Sequence, residues 1–159
     1  MTAIALHSGS NTGASRFFEQ TTVIRAVLAE PEMSWEKMGK RVLIIDDSST
    51  MRQQVSVALV SAGYETVEAS DGKLGATQIQ SRNDLALVIC DINMPNMNGL
   101  EMLECVKARI ATLGLPVVML TTERNPEAIA RAKAAGAKGW LVKPFKPQAL
   151  VSIADKLTA

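Results

Sequence analysis

LALVICDINMPNMNG, residues 85–99, decides how the rest of the chain is read. Residues 85–90 are apolar without a break, and the run ends in one carboxylate, Asp91. Asn, Pro and Gly follow, which suit a loop. A short apolar run bounded by turn residues fits a strand buried on both faces. Such strands belong to parallel sheets covered by helices. In those sheets, ligands bind outside the carboxyl ends of the strands. Asp91 therefore stands where this architecture does its chemistry.

The composition agrees with a globular chain. Of 159 residues, 47% are hydrophobic and 21% charged, with a net charge of +1. That balance argues against nucleic acid as an obligate partner, because phosphate contacts need a basic surface. No apolar run approaches the roughly 18 residues of a membrane span. The start, MTAIALHSG, lacks the basic residues and apolar core of a signal peptide. The expected location is the cytoplasm, with no membrane association. Cys90 and Cys105 read as buried free thiols. With His7 they offer no zinc-ligand spacing.

Residues 1–39 read as an N-terminal extension. SGSNTGAS, at 8–15, is small and polar, as in flexible segments. Residues 16–30 read as a helix carrying Phe17, Ile24, Val27 and Leu28 on one face, with Pro31 ending it. A loosely attached extension and a docking or dimerising helix are the two readings.

From Lys40 the chain alternates. Strands are expected at 41–45, 64–69, 85–90, 116–120 and 139–142. Helices are expected at 49–62, 73–81, 100–113, from Pro126 to Gly136, and at 147–157. Ser48 or Ser49 caps the first helix, Gly63 and Gly114 stop helices, and Pro126 follows the cap Asn125. The second strand is mixed in polarity and so falls at an edge. Strict alternation implies an α/β fold with a doubly wound, five-stranded parallel sheet and five flanking helices.

The strand ends then share one rim. Strand one delivers Asp46 and Asp47, strand three Asp91, strand four Thr121 and strand five Lys143. Taken singly, each has an ordinary reading, such as acids at a helix start. Together they collect three carboxylates, a hydroxyl and an ammonium. Clustered carboxylates repel and call for a cation. All-oxygen donors with room for water suit Mg²⁺ better than Ca²⁺. A metal would admit a phosphoryl group, Lys143 and Thr121 would take its oxygens, and Asp91 would be the nucleophile.

Residues 40–159 resemble the receiver domains of response regulators, most nearly the CheY-like, stand-alone chemotaxis type. The motifs that carry the likeness are VLIIDDSSTMR (42–52), DINMPNMNGLEML (91–103), VVMLTTE (117–123) and LVKPF (141–145). The resemblance implies a flavodoxin-like strand order, 2-1-3-4-5. It implies that Asp91 accepts a phosphoryl group from a histidine kinase. It also implies Mg²⁺ held by Asp47, Asp91 and the backbone carbonyl of Asn93, with Asp46 assisting through water. Thr121 and Lys143 would bind the phosphoryl group, and Thr121 and Trp140 would form the switch. Trp140 is bulkier than the family's usual Tyr or Phe, and its ordinary reading is a surface aromatic of strand five. Thr122 is larger than the usual small residue. Asn93 and Glu123 sit where the family tunes hydrolysis, and their types imply fast self-dephosphorylation.

The leading expectation is a stand-alone receiver in chemotaxis signalling that switches a protein-binding face. Its target would be a flagellar motor switch protein or another chemotaxis component. An alternative is a phosphate sink or relay step that passes the phosphoryl group to a phosphotransfer protein. A third reading, an aspartate-nucleophile phosphatase, needs a second Asp two residues after the nucleophile. That place holds Asn93, which cannot exchange protons near neutral pH. No independent substrate turnover is expected. Met94, Met97, Met102 and Met119 read as packing, and Arg131, Lys133 and Lys138 as a solvated face.

Overall fold

The computed structural model describes residues 35–122 and 124–159. Residues 1–34 of the extension, with its expected helix at 16–30, and Glu123 lie outside the described residues. The sheet contains β1 (Arg41–Ile45), β2 (Glu65–Ala69), β3 (Leu85–Asp91), β4 (Val117–Thr121) and β5 (Gly139–Val142). All pairings are parallel, in the order β2-β1-β3-β4-β5. The helices are α1 (Ser49–Ser61), α2 (Gly72–Ser81), α3 (Gly99–Leu113), α4 (Pro126–Ala134) and α5 (Pro147–Thr158).

The order follows from burial. RVLII in β1, LVICD at the end of β3 and VVMLT in β4 are almost wholly buried, so these strands fill the middle. ETVEA in β2 is exposed or half-buried except at Ala69 and takes one edge, as its mixed polarity indicates. β5 is half-buried along its length and takes the other.

Alternation along the strands sends side chains into two cores. Leu43, Ile45, Val88, Cys90, Val117 and Met119 face α2, α3 and α4. Val42, Ile44, Leu87, Ile89, Val118 and Leu120 face α1 and α5. Each fully buried Leu, Ile or Met contributes about 1.5–3 kcal/mol by leaving water. Met94, Met102 and Met119 are buried, and Met97 packs against the same core, so all four serve as packing.

Helix ends follow local chemistry. Ser48 caps α1 by accepting the Met51 N–H, and Asp71 caps α2 by accepting the Leu74 N–H. Asn98 and Glu101 form a reciprocal capping box on α3, and Gly114 ends that helix in the left-handed conformation at φ 61°. α2 starts one residue earlier than its sequence implies, at Gly72.

One expectation needs correction. Cys90 is buried and free, but Cys105 is free and exposed. Trp140 is half-buried and packs against the core.

Ahead of β1, a 3₁₀ turn spans Trp35–Lys37. The Lys37 ammonium pairs with Asp155 of α5 at 2.7 Å and lies 5.6 Å from the centre of the Tyr64 ring. The Tyr64 hydroxyl donates to Asp155 at 2.8 Å. Burial pushes that phenol up to about 12.

Candidate functional site

Two neighbouring strands of the sheet deliver one acidic cluster. Asp46 directly follows β1, Asp47 comes next, and Asp91 is the last residue of β3. One oxygen from each carboxylate lies within 4.8 Å of the others. Asp46 is 2% exposed and Asp91 7% exposed, whereas Asp47 opens to solvent. Such a set of hard oxygen donors fits a small divalent cation.

Lys143, immediately after β5, reaches into this cluster. Its ammonium lies 2.8 Å from Asp46 Oδ2 and 3.5 Å from Asp91 Oδ1. The other Asp46 oxygen accepts the Ser48 N–H at 2.8 Å, and Asp91 Oδ1 accepts the Ile92 N–H at 2.8 Å. Burial raises the Asp91 carboxyl above the ordinary range; Lys143 pulls it down, and Asp46 adds to the rise. Burial, helped by Asp91 and Asp46, raises the neighbouring Cys90 thiol strongly, so this sulfur stays protonated beside the acids.

Thr121 is fully buried at the end of β4. Its carbonyl accepts the Lys143 N–H at 2.9 Å, which ties the two strand ends together. Trp140 pairs with Met119, two residues below the Thr121–Val142 pair. Strand alternation puts Thr121 and Trp140 on the same face of the sheet. Among the described residues, the buried Trp140 Nε1 finds no hydrogen-bond partner. Asn93 is exposed in the loop after Asp91. The Lys143–Pro144 bond is cis.

Gly99 opens α3 directly beneath the acid. A Cβ there would stand 2.1 Å from the Asp91 carbonyl oxygen, an impossible approach. The Gly99 N–H donates to Ile92 at 2.8 Å, which closes the loop carrying Asn93. Gly99 is thus required for the close packing of helix and strand that fixes Asp91.

The structure therefore gathers Asp46, Asp47, Asp91 and Lys143, with Thr121 on the adjoining strand end. Asp91 and Thr121 lie inside their strands, where sequence alone put them one residue beyond. Sequence reasoning missed Arg52 altogether, although it ends the VLIIDDSSTMR motif. Its guanidinium donates to the Asp46 carbonyl at 2.8 Å and to Glu68 at 2.8 Å.

Residues 42–155 match the family model described as the response regulator receiver domain. The chain belongs to this receiver family, and is CheY-like within it. It is similar to the chemotaxis protein CheY1 of Helicobacter pylori, 39% identical over 111 residues, spanning 69% of this chain and 90% of the relative. It is similar also to the chemotaxis protein CheY-3 of Vibrio cholerae, 37% identical over 117 residues, spanning 74% and 90%. Among solved structures, the chemotaxis protein CheY4 of Vibrio cholerae matches with a TM-score of 0.69 and 41% identity, over 74% of this chain and 98% of that one. Among the described residues, no helix of this receiver is long and apolar enough to cross a membrane.

Proposed function

We propose that this receiver is a response regulator of chemotaxis that takes a phosphoryl group onto Asp91. The donor is the phosphohistidine of a histidine kinase. An Asp91 oxygen forms the new O–P bond as the N–P bond breaks, and the electron pair stays with the imidazole nitrogen, which takes up a proton. The observation that carries this reading is Asp91 itself: an acid seated among two further carboxylates and the Lys143 ammonium, 3.5 Å away.

Asp46, Asp47, Asp91 and the Asn93 carbonyl would hold Mg²⁺, whose charge offsets that of the incoming phosphoryl oxygens. Lys143 then takes one phosphoryl oxygen, exchanging part of its bond to Asp46. Thr121 moves to another, and the space it leaves is coupled to Trp140 on the same sheet face. The charge on Asp91 thereby shifts a two-state equilibrium of a protein-binding face. The partners in this reading are the kinase and a motor switch or other chemotaxis protein. The chain works in the cytoplasm and turns over no independent substrate.

The test is intact-mass measurement after incubation with acetyl phosphate and MgCl₂. The wild-type protein should gain one phosphoryl group and Asp91→Asn none. Equal gain by both proteins would sink the assignment of the acceptor.

A further inference from the structure

The Asp47 carboxylate is the exposed member of the acidic cluster, so its aim depends on its backbone. Two peptide planes flank the Asp47 Cα, and a hydrogen bond holds each one. The plane before it contains the Asp46 carbonyl, which accepts from Arg52 Nη1 at 2.8 Å. The plane after it contains the Ser48 N–H, which donates to Asp46 Oδ1 at 2.8 Å.

Arg52 is itself held. Its Nε lies 2.8 Å from Glu68 Oε2, and its side chain is 17% exposed. Its own N–H donates to the Ser48 carbonyl at 3.0 Å, within the first turns of α1. Glu68 stands on edge strand β2, paired with Ile44 one residue before the end of β1. The Asp46 N–H also donates across to β2, to Ala69 at 3.2 Å. One guanidinium therefore spans helix α1, the end of β1 and the edge strand.

We infer that Arg52 is a positioning residue for cation binding: it fixes the peptide plane that aims Asp47. The inference rests on the metal reading proposed above. Bare charge makes the opposite demand, because a cation near a metal site repels the metal. On charge alone, removing Arg52 should tighten binding. On positioning, removal should weaken it roughly tenfold, the scale on which orienting partners act at metal sites.

The experiment measures the Mg²⁺ dissociation constant of the full chain from the dependence of its thermal midpoint on MgCl₂. Wild type, Arg52→Ala and Arg52→Lys are compared at low salt and in 0.5 M KCl, where charge effects are screened. Arg52→Ala should bind Mg²⁺ about tenfold more weakly at both salt levels. Arg52→Lys keeps the charge but cannot hold Glu68 and Asp46 together, so it should recover only part of the affinity. A role in folding alone would lower the metal-free midpoint and leave the dissociation constant unchanged, which would overturn the proposal. So would binding by Arg52→Ala as tight as wild type, or a difference that salt abolishes. A wild-type protein that gains no stability from MgCl₂ would overturn the metal reading and this inference together.

Discussion

Lys143 leans toward Asp46 and away from Asp91. Its ammonium is at hydrogen-bonding distance from the first, 2.8 Å, and at 3.5 Å from the second. The cation that serves the cluster is therefore committed mainly to the more buried acid. Burial raises the Asp91 carboxyl, and the ammonium 3.5 Å away offsets that rise only in part. A phosphoryl group arriving on Asp91 finds an ammonium close enough to redirect.

Lys143→Ala follows from this geometry. Removing one partner of a buried ion pair costs about 3–5 kcal/mol, because the other charge is left without compensation. Lys143 keeps some access to water, so the loss expected here is about 2 kcal/mol. It should be read from urea unfolding without metal. Mg²⁺ should restore more stability to this variant than to wild type, since a competing cation has gone. Intact mass should show that the variant still accepts a phosphoryl group, while binding to its partner no longer responds to it. An unchanged urea midpoint would show that the pair contributes nothing.

Asp91→Asn should raise the thermal midpoint of the metal-free protein near neutral pH. The sign follows from linkage. The folded-state pKa of Asp91 lies above its unfolded value, so the folded protein holds this proton more tightly. Stability is then lost as pH rises through the raised pKa, and the wild type carries that loss at neutral pH. Asparagine does not titrate. The advantage of the variant should shrink as pH falls toward the ordinary carboxylate range. A pH series of thermal midpoints checks it, and a gap that widens on acidification would contradict it.

The sheet was legible because its middle strands join an apolar run to one or two polar residues at the carboxyl end. RVLIIDD, LALVICD and VVMLT each announce a buried strand and the group it presents. The exact ends were not legible. Asp91 joins β3 because it pairs with Leu120 of the neighbouring strand, a long-range contact with no local signal. Cys105 was misplaced for a different reason. The buried positions of α3 are Gly99, Leu100, Met102, Leu103, Val106 and Ile110, and Cys105 falls outside that stripe. Arg52 was invisible as a site residue because its partners, the carbonyl just after β1 and a carboxylate of β2, meet only in the folded sheet.

Trp140→Phe should leave stability within about 1 kcal/mol of wild type, although a large aromatic is being trimmed. The ring loses some contact with the core, which destabilises. Against that, the buried Nε1–H has no partner among the described residues, and such a donor costs about 1–3 kcal/mol. Phenylalanine keeps a ring in β5 and removes the donor. Urea unfolding measures the balance. A loss above about 3 kcal/mol, the cost of emptying a well-packed aromatic site, would mean that packing dominates.

Gly99→Ala tests how tightly the acid is framed. The added methyl would meet the Asp91 carbonyl oxygen at 2.1 Å and the Ile92 Cα at 3.0 Å. Both are backbone atoms in a central strand end and cannot swing aside as a flexible side chain would. The expected loss is about 2–3 kcal/mol, at the upper end of overpacking costs. The loop would also shift Asp91 relative to Asp46 and Lys143, so phosphoryl uptake should slow. Gly114→Ala is the control. That glycine sits at φ 61° with no described residue within 4 Å of an added methyl group, so backbone strain of about 1–2 kcal/mol is what applies. Its phosphoryl uptake should match wild type. Equal stability losses with equal uptake in both variants would show that the helix start does not position the acceptor.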